Sequence, residues 1–236
     1  MATEALRVKL IGCGGIGGHL APNLCHFLHA ERRPAHVVLV DGDAFEERNR
    51  GRMRFPTYDN KALVMARDLA AAFGDALTLE PIPEYVTPAN VDAVVGEGDV
   101  VFLAVDNHAT RRLVDERCAR LADVTLFSGG NDGVEHGLEG TFGNVQLVRR
   151  MEGRPLTSGL GRFHPEIREP EDQLPGELSC AELAAGAAPQ LLFTNLAVAS
   201  AMLNAFYGWL RGEASYEEVY LDILKNRVVP VERAHA

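Results

Sequence analysis

The sequence predicts an α/β fold: a mostly parallel sheet with helices on both faces, plus antiparallel strands near the C-terminus. Three observations predict it. Short apolar runs alternate with longer helical-period stretches up to about residue 130. Two of those runs, "HVVLVD" and "DVVFLAVDN", are apolar throughout and end on an acid. Between the first run and the first helical stretch stands a glycine-rich break, "LIGCGGIGG".

The elements run in order. "RVKLIG" reads as a buried strand and "GGHLAPNLCHFLHAE" as a helix, with Pro22 in its first turns or kinking it. "HVVLVD" is the second strand. "DNKALVMARDLAAAFG" is a strong helix capped by Asp59 or Asn60 and stopped by Gly74. "LTLEPIPEYV" is a shorter strand and loop. "TPANVDAVVG" is a short helix with Thr87 as cap and Pro88 at its first position. "DVVFLAVDN", "HATRRLVDERCARLA" and "VTLFSGG" continue as strand, helix and strand, and "LEGTFGNVQLVRR" adds a further strand. Residues 151–178 break the pattern with four prolines and four glycines, a long loop of the kind that is functional or mobile. An apolar, alanine-rich helical region comes after it from Cys180, and "YEEVYLDILKNRVVPV" reads as two short strands around Lys225-Asn226. With no repeat or low-complexity linker, 1–236 reads as one domain: a nucleotide-binding core over 1–150, a crossover loop over 151–178, and a helical segment with strands over 179–236.

The 236 residues are 47% hydrophobic, enough for a sizeable core. A formal charge of −10 without a basic stripe excludes nucleic acid and favours a protein partner with a basic or neutral patch. Cys13, Cys25, Cys118 and Cys180 form no CxxC pair, so neither a zinc site nor a disulfide framework is expected. No apolar run is long enough to span a membrane. The chain enters its first strand with no signal-peptide pattern, and a cytoplasmic setting with free thiols is expected.

Gly12, Gly14 and Gly17 spell GxGxxG between a strand and a helix, the signature of a Rossmann-like nucleotide turn. The helix N-terminus there offers N–H groups and a positive dipole to phosphate. Asp41 ends the next strand, where a carboxylate accepts from ribose hydroxyls. These features alone do not separate NAD from ATP. The next stretch of chain does: Asn49, Arg52, Arg54 and Lys61 come shortly after Asp41 and Asp43. A triphosphate needs such cations, whereas a nicotinamide enzyme does not. Asp106-Asn107 ends the fourth strand at the same sheet edge, where an acid is placed to hold Mg²⁺.

The ordered set "GCGGIGG", "DGDAFEERNRGR", Lys61 and "AVDNHATR" resembles the ThiF/MoeB/ubiquitin-activating superfamily of adenylating enzymes over residues 8–148, with a weaker match over 178–212. "LSC…NLAVA" looks most like the ThiF proteins of PRTRC-type bacterial gene systems. The resemblance implies nucleotide binding by Gly12, Gly14, Gly15 and Gly17. Asp41 would hold the ribose, and Asp43 would support the Mg-phosphate side. Asn49, Arg52 and Lys61 would bind the triphosphate, Asp106 the metal, and Asn107 and Arg111 would shape the site. It implies an ATP- and Mg²⁺-dependent adenylyltransferase, active as a homodimer on the C-terminal Gly-Gly carboxylate of a ubiquitin-like β-grasp protein. Arg52, Lys61 and Asp106 would carry catalysis, with Cys180 as an acyl acceptor and 151–178 covering the partner's tail. The alternatives are a NAD(P)- or FAD-dependent oxidoreductase, a scaffold that binds nucleotide without turnover, and adenylation of a small-molecule carboxylate.

The sequence also departs from its relatives. Many carry an N-terminal helix whose arginine reaches into the partner subunit's ATP site; Arg7 lies too close to the first strand for that, and Arg54 is one alternative source. Position 53 is methionine where the family often has glutamine. Each remaining feature has a bland alternative. Cys180 also reads as a small apolar residue at a helix start, Lys61 as a solvated lysine, and Asp106 as a cap for the helix after it. Cys13, Cys25 and Cys118 read as packing, His108 and His164 as structural, and Arg48, Arg50 and Arg54 as solvated.

Overall fold

The computed structural model describes residues 5–51, 53–134, 139–177 and 190–232. Five parallel strands come first: β1 (Leu6–Ile11), β2 (Ala35–Val40), β3 (Thr78–Ile82), β4 (Asp99–Leu103) and β5 (Val124–Asn131). β6 (Phe142–Met151), β7 (Arg154–Pro155), β8 (Glu218–Asp222) and β9 (Arg227–Val231) add antiparallel pairs. The sheet runs β3-β2-β1-β4-β5-β6-β8-β9, with β7 paired to β6. The order reverses between β1 and β4, and a parallel sheet binds ligands outside the carboxyl ends of its strands at that point.

Helices cover both faces. On one lie α1 (Gly17–Ala30), α2 (Lys61–Phe73) and the long α6 (Leu192–Leu210). Leu20, Leu24, Met202 and Phe206 of these helices pack onto Leu10, Leu39, Phe102 and Phe127. On the other lie α3 (Val91–Val94), α4 (His108–Ala119) and the short α5 (Pro165–Arg168), around Val101, Leu103, Leu126 and Val114. The inner strands β2, β4 and β5 are buried on both sides, which is why they read as apolar runs, whereas the edge strand β3 is half-buried to exposed. Each fully buried Leu or Phe contributes about 1.5–3 kcal/mol.

Local signals settle the element ends. Asn60, not Asp59, caps α2 by accepting from the Leu63 N–H at 3.1 Å. Gly74 takes φ 59° at the other end, a conformation a side chain would strain. Pro22 is accommodated on the exposed side of α1. Asn226, at φ 49°, turns the β8–β9 hairpin.

One expectation and one alternative reading need correction. The short helix begins at Val91 with Asn90 as cap, not at Pro88 after Thr87, because the Asn90 side chain accepts from the Thr87 N–H and holds 87–90 as a turn. Asp106 is not the cap of α4: the Asn107 side chain accepts from the Thr110 N–H at 2.8 Å. The expected helical region after Cys180 is seen from Leu192 onward, and Cys180 itself lies outside the described residues. The 151–177 stretch carries β7, α5 and short 3-10 turns.

Candidate functional site

A cavity of about 810 Å³ opens at the carboxyl ends of the parallel strands and extends along β6 to β8. Its first end is the glycine turn. Gly12 has φ +95°, and a Cβ there would meet the Ala104 carbonyl of the neighbouring strand. A Cβ at Gly17 would collide with the Gly12 carbonyl, so this glycine lets α1 start hard against the turn. Gly14 faces open space. Among the described residues, no group accepts from the backbone N–H groups of Gly14, Gly15 and Ile16. Free donors at a helix N-terminus suit an anion such as phosphate.

Asp41 fixes the turn. Its carboxylate accepts from the Cys13 N–H at 2.7 Å and the Asp43 N–H at 2.8 Å. Burial pushes this carboxyl up to about 6, although the Lys61 charge pulls it down. Lys61 opens α2, is buried, and donates to Asp43 at 2.7 Å. Burial disfavours the ammonium, but Asp41 and Asp43 outweigh it and hold Lys61 above its ordinary value. Asp43 also accepts from the Tyr85 hydroxyl. Burial raises the Asp43 carboxyl, and Lys61 and Tyr85 bring it below its usual range. Lys61 has three N–H donors and gives one to Asp43, so its charge remains available to the cavity it lines.

Asn49 is buried in a short 3-10 turn and closes a capping box with Glu46. Arg48 and Asn49 line the cavity, and Met53 packs with Phe45 and Val64 beneath them. Arg52 lies outside the described residues. Asp106 follows β4 and reaches the same cavity as an exposed carboxylate. Among the described residues, no group of three or more His, Cys, Asp or Glu side chains could cage a metal. Magnesium needs no such cage: one or two carboxylates, phosphate oxygens and water complete its shell, and Asp106 fits that donor set. Arg111 is buried and donates to Ser128 at 2.7 Å, to the Val105 carbonyl at 2.7 Å and to the Gly129 carbonyl at 2.8 Å. Burial pulls its guanidinium down to about 10, and its work is to join the ends of β4 and β5 under the cavity floor.

A family model described as the ThiF family matches residues 2–216. The chain belongs to the ThiF family. The SAMP-activating enzyme E1 of Haloferax volcanii is 32% identical over 126 residues, covering 52% of this chain and 44% of that protein. Molybdopterin-synthase adenylyltransferase of Escherichia coli is 24% identical over 168 residues, covering 70% of this chain and 62% of that protein. This ThiF-family chain spans about half the length of the curated relatives it matches. The solved structure of E. coli MccB with ATP superposes with a TM-score of 0.69 at 14% identity, over 98% of this chain and 64% of that one. E. coli tRNA N6-threonylcarbamoyladenosine dehydratase, TcdA, gives a TM-score of 0.53 at 17% identity, over 87% of this chain and 88% of that one. The likeness to both is one of fold.

In this ThiF-family chain, Gly12, Gly14, Gly15, Asp41, Asp43, Asn49, Lys61, Asp106, Asn107 and Arg111 all line one cavity, and Gly17 packs the turn behind it. Cys13, Cys25 and Cys118 are buried, and burial pushes each thiol up, as packing residues require. His164 is not an isolated histidine: its ring nitrogens meet Glu166 at 2.9 Å and Glu218 at 2.6 Å. Nor is Arg50 merely solvated, since it pairs with Glu47 and Tyr58. Two further residues carried no signal as site residues in the sequence. Asn195 of α6 is buried against Gly15, accepts from Asn131 at 2.7 Å and reaches Gln190 at 3.3 Å. Gln146 of β6 lines the cavity's second end.

Proposed function

We propose that this chain is an ATP- and Mg²⁺-dependent adenylyltransferase acting on the C-terminal carboxylate of a ubiquitin-like β-grasp protein. One observation carries the proposal: a single cavity joins the open glycine turn, Lys61 and Asp106 to the polar face of β6 and β8. It gives a nucleotide and an extended chain end room to meet. In this reading a substrate carboxylate oxygen attacks the α-phosphorus of ATP. The bond from α-phosphorus to the bridging oxygen breaks, and pyrophosphate leaves with that electron pair. A carboxylate is already a nucleophile, so no general base is required. The barrier is the meeting of two anions, which fixed donors and cations lower.

The chain's own groups take defined parts. The N–H groups of Gly14, Gly15 and Ile16 receive phosphate oxygens, and Lys61 and Arg52 supply positive charge. Asp41, already holding the turn, faces the ribose, and Asn49 and Asn107 border the phosphates. Asp106 would hold Mg²⁺, which neutralises phosphate charge when bound. The crossover carrying α5 would cover the incoming tail. Cys180 would receive the acyl group from the adenylate with release of AMP. Phe193, Leu196 and Tyr207 leave an exposed apolar stripe on α6, which supports a homodimer. The thiols of Cys13, Cys25 and Cys118 are buried and free, as suits a reducing cytoplasm, and no described helix is long and apolar enough to cross a membrane.

The relatives support this reading by their own names, an activating enzyme and an adenylyltransferase. The test is pyrophosphate release with ATP, Mg²⁺ and a β-grasp protein ending in Gly-Gly. Release should need all three and should vanish when the last glycine is amidated. Release independent of that carboxylate would refute the assignment. Cys180→Ser should keep pyrophosphate release and lose any covalent adduct.

A further inference from the structure

The cavity's second end lies on the antiparallel extension. Val145, Leu147, Val219 and Leu221 point into the core beneath α6. The alternate residues Asn144, Gln146, Glu218 and Tyr220 therefore share the opposite face, where Gln146 pairs in register with Glu218. Leu160, His164 and Glu166 of the crossover lie over that face. The His164 ring sits between Glu166 at 2.9 Å and the buried Glu218 at 2.6 Å. Asn144 donates to Glu218 at 3.1 Å.

Gln146 is the unfinished part. It is 7% exposed, and its Nε2 donates to the Leu160 carbonyl at 3.1 Å. Its Oε1 is buried and has no donor among the described residues. Turning the amide would set oxygen against the Leu160 oxygen, so the acceptor stays inward. His108 Nδ1, also on the cavity wall, is buried without a partner among the described residues. Around them Glu166, Asp132 and Asp172 line the cavity, with Glu218 behind, and Asp172 is already engaged by the His108 and Ala109 N–H groups at 2.7 Å each. The described cations at this end are His164, held between its two carboxylates, and Arg111, held by Ser128 and backbone carbonyls. Carboxylates are in excess, and the unmatched oxygen calls for an N–H donor.

We propose that this end of the cavity is a subsite for an N–H-donating cation, an ammonium or guanidinium carried by the acyl substrate a few residues before the activated carboxylate. The proposal rests on the adenylation reading for which molecule carries the cation. The subsite itself rests on Gln146, Glu166 and their neighbours.

The test is calorimetric titration of the full chain with the peptides Ala-Arg-Gly-Gly, Ala-Gln-Gly-Gly and Ala-norleucine-Gly-Gly, with methylguanidinium as the free cation. The arginine peptide should bind at least tenfold tighter than the other two and tighter than methylguanidinium. That preference should fall below threefold in Gln146→Leu and in Glu166→Gln. Gln146→Leu removes the bond to Leu160; should it fail to fold, Glu166→Gln decides, because that side chain is 49% exposed. Equal binding of the peptides, no binding by any, or a preference that survives in the folded variants would overturn the subsite. A glutamine peptide as tight as the arginine one would overturn its cationic character, and methylguanidinium as tight as the peptide would overturn the substrate-borne source. Pyrophosphate release measured alongside separates the two readings. Preference without release keeps the subsite and removes activation; release without preference does the reverse.

Discussion

Replacing Lys61 with methionine separates structural from functional charge. Lys61 and Asp43 lie 2.7 Å apart, with the lysine 8% and the aspartate 45% exposed. At an effective dielectric of roughly 20 the gross attraction is on the order of 6 kcal/mol. Burying the ammonium consumes much of that. Removing the cation leaves Asp43 charged beside Asp41, with water reaching Asp43 from its open side. The expected loss in folding stability is about 2–3 kcal/mol, read by urea unfolding at pH 7.5. Loss of a phosphate-facing cation adds a separate cost of about 2 kcal/mol in ATP binding, or about 30-fold in Kd by calorimetry. The double variant Lys61→Met/Asp43→Asn should regain most of the stability and little of the ATP affinity. If the double variant, or Lys61→Met alone, binds ATP like the parent, Lys61 serves only Asp43 and the phosphate assignment fails.

Three other outcomes are expected. A Cβ at Gly15 would overlap the Asn195 amide and crowd Gln190, so Gly15→Ala should weaken ATP binding about tenfold while the far-UV spectrum stays native. Asp106 is exposed and bears no fold-holding bond among the described residues, so Asp106→Asn should leave urea unfolding unchanged while making ATP affinity insensitive to Mg²⁺. Hydrogen bonds to Glu218 and Glu166, opposed by burial, raise the His164 pKa above its unfolded value. Its stabilisation is therefore full below about pH 6.5 and lost as pH rises through the raised folded value. The melting temperature of the parent should exceed that of His164→Gln by more at pH 5.5 than at pH 9.

Much of the fold was legible because its signals are local. The doubly buried strands read as apolar runs, Gly74 marked the end of α2, and the glycine turn marked the sheet edge where the cavity opens. The first end of the cavity was legible for the same reason: its residues follow the carboxyl ends of β1, β2 and β4 in the sequence. The second end was not. His164 and Glu218 are 54 residues apart and meet only once the crossover folds onto β8. Gln146 looks like any polar residue in an alternating strand until its register against Glu218 is known. Asn195 sits in an alanine-rich apolar helix, with nothing local to show that it packs on Gly15. The misplaced start of α3 has a local cause: Thr87-Pro88 resembles a helix start, but Asn90 ties back to Thr87 and Tyr85 and delays it.

The central claim is that the glycine turn and its neighbouring charges grip the triphosphate of ATP. Calorimetric titration with ATP in Mg²⁺, set beside the same titration with NAD⁺, tests it most directly. One ATP bound per chain, with affinity that drops on removing Mg²⁺ and no heat from NAD⁺, is the predicted result. Saturable NAD⁺ binding with no response to ATP would contradict it.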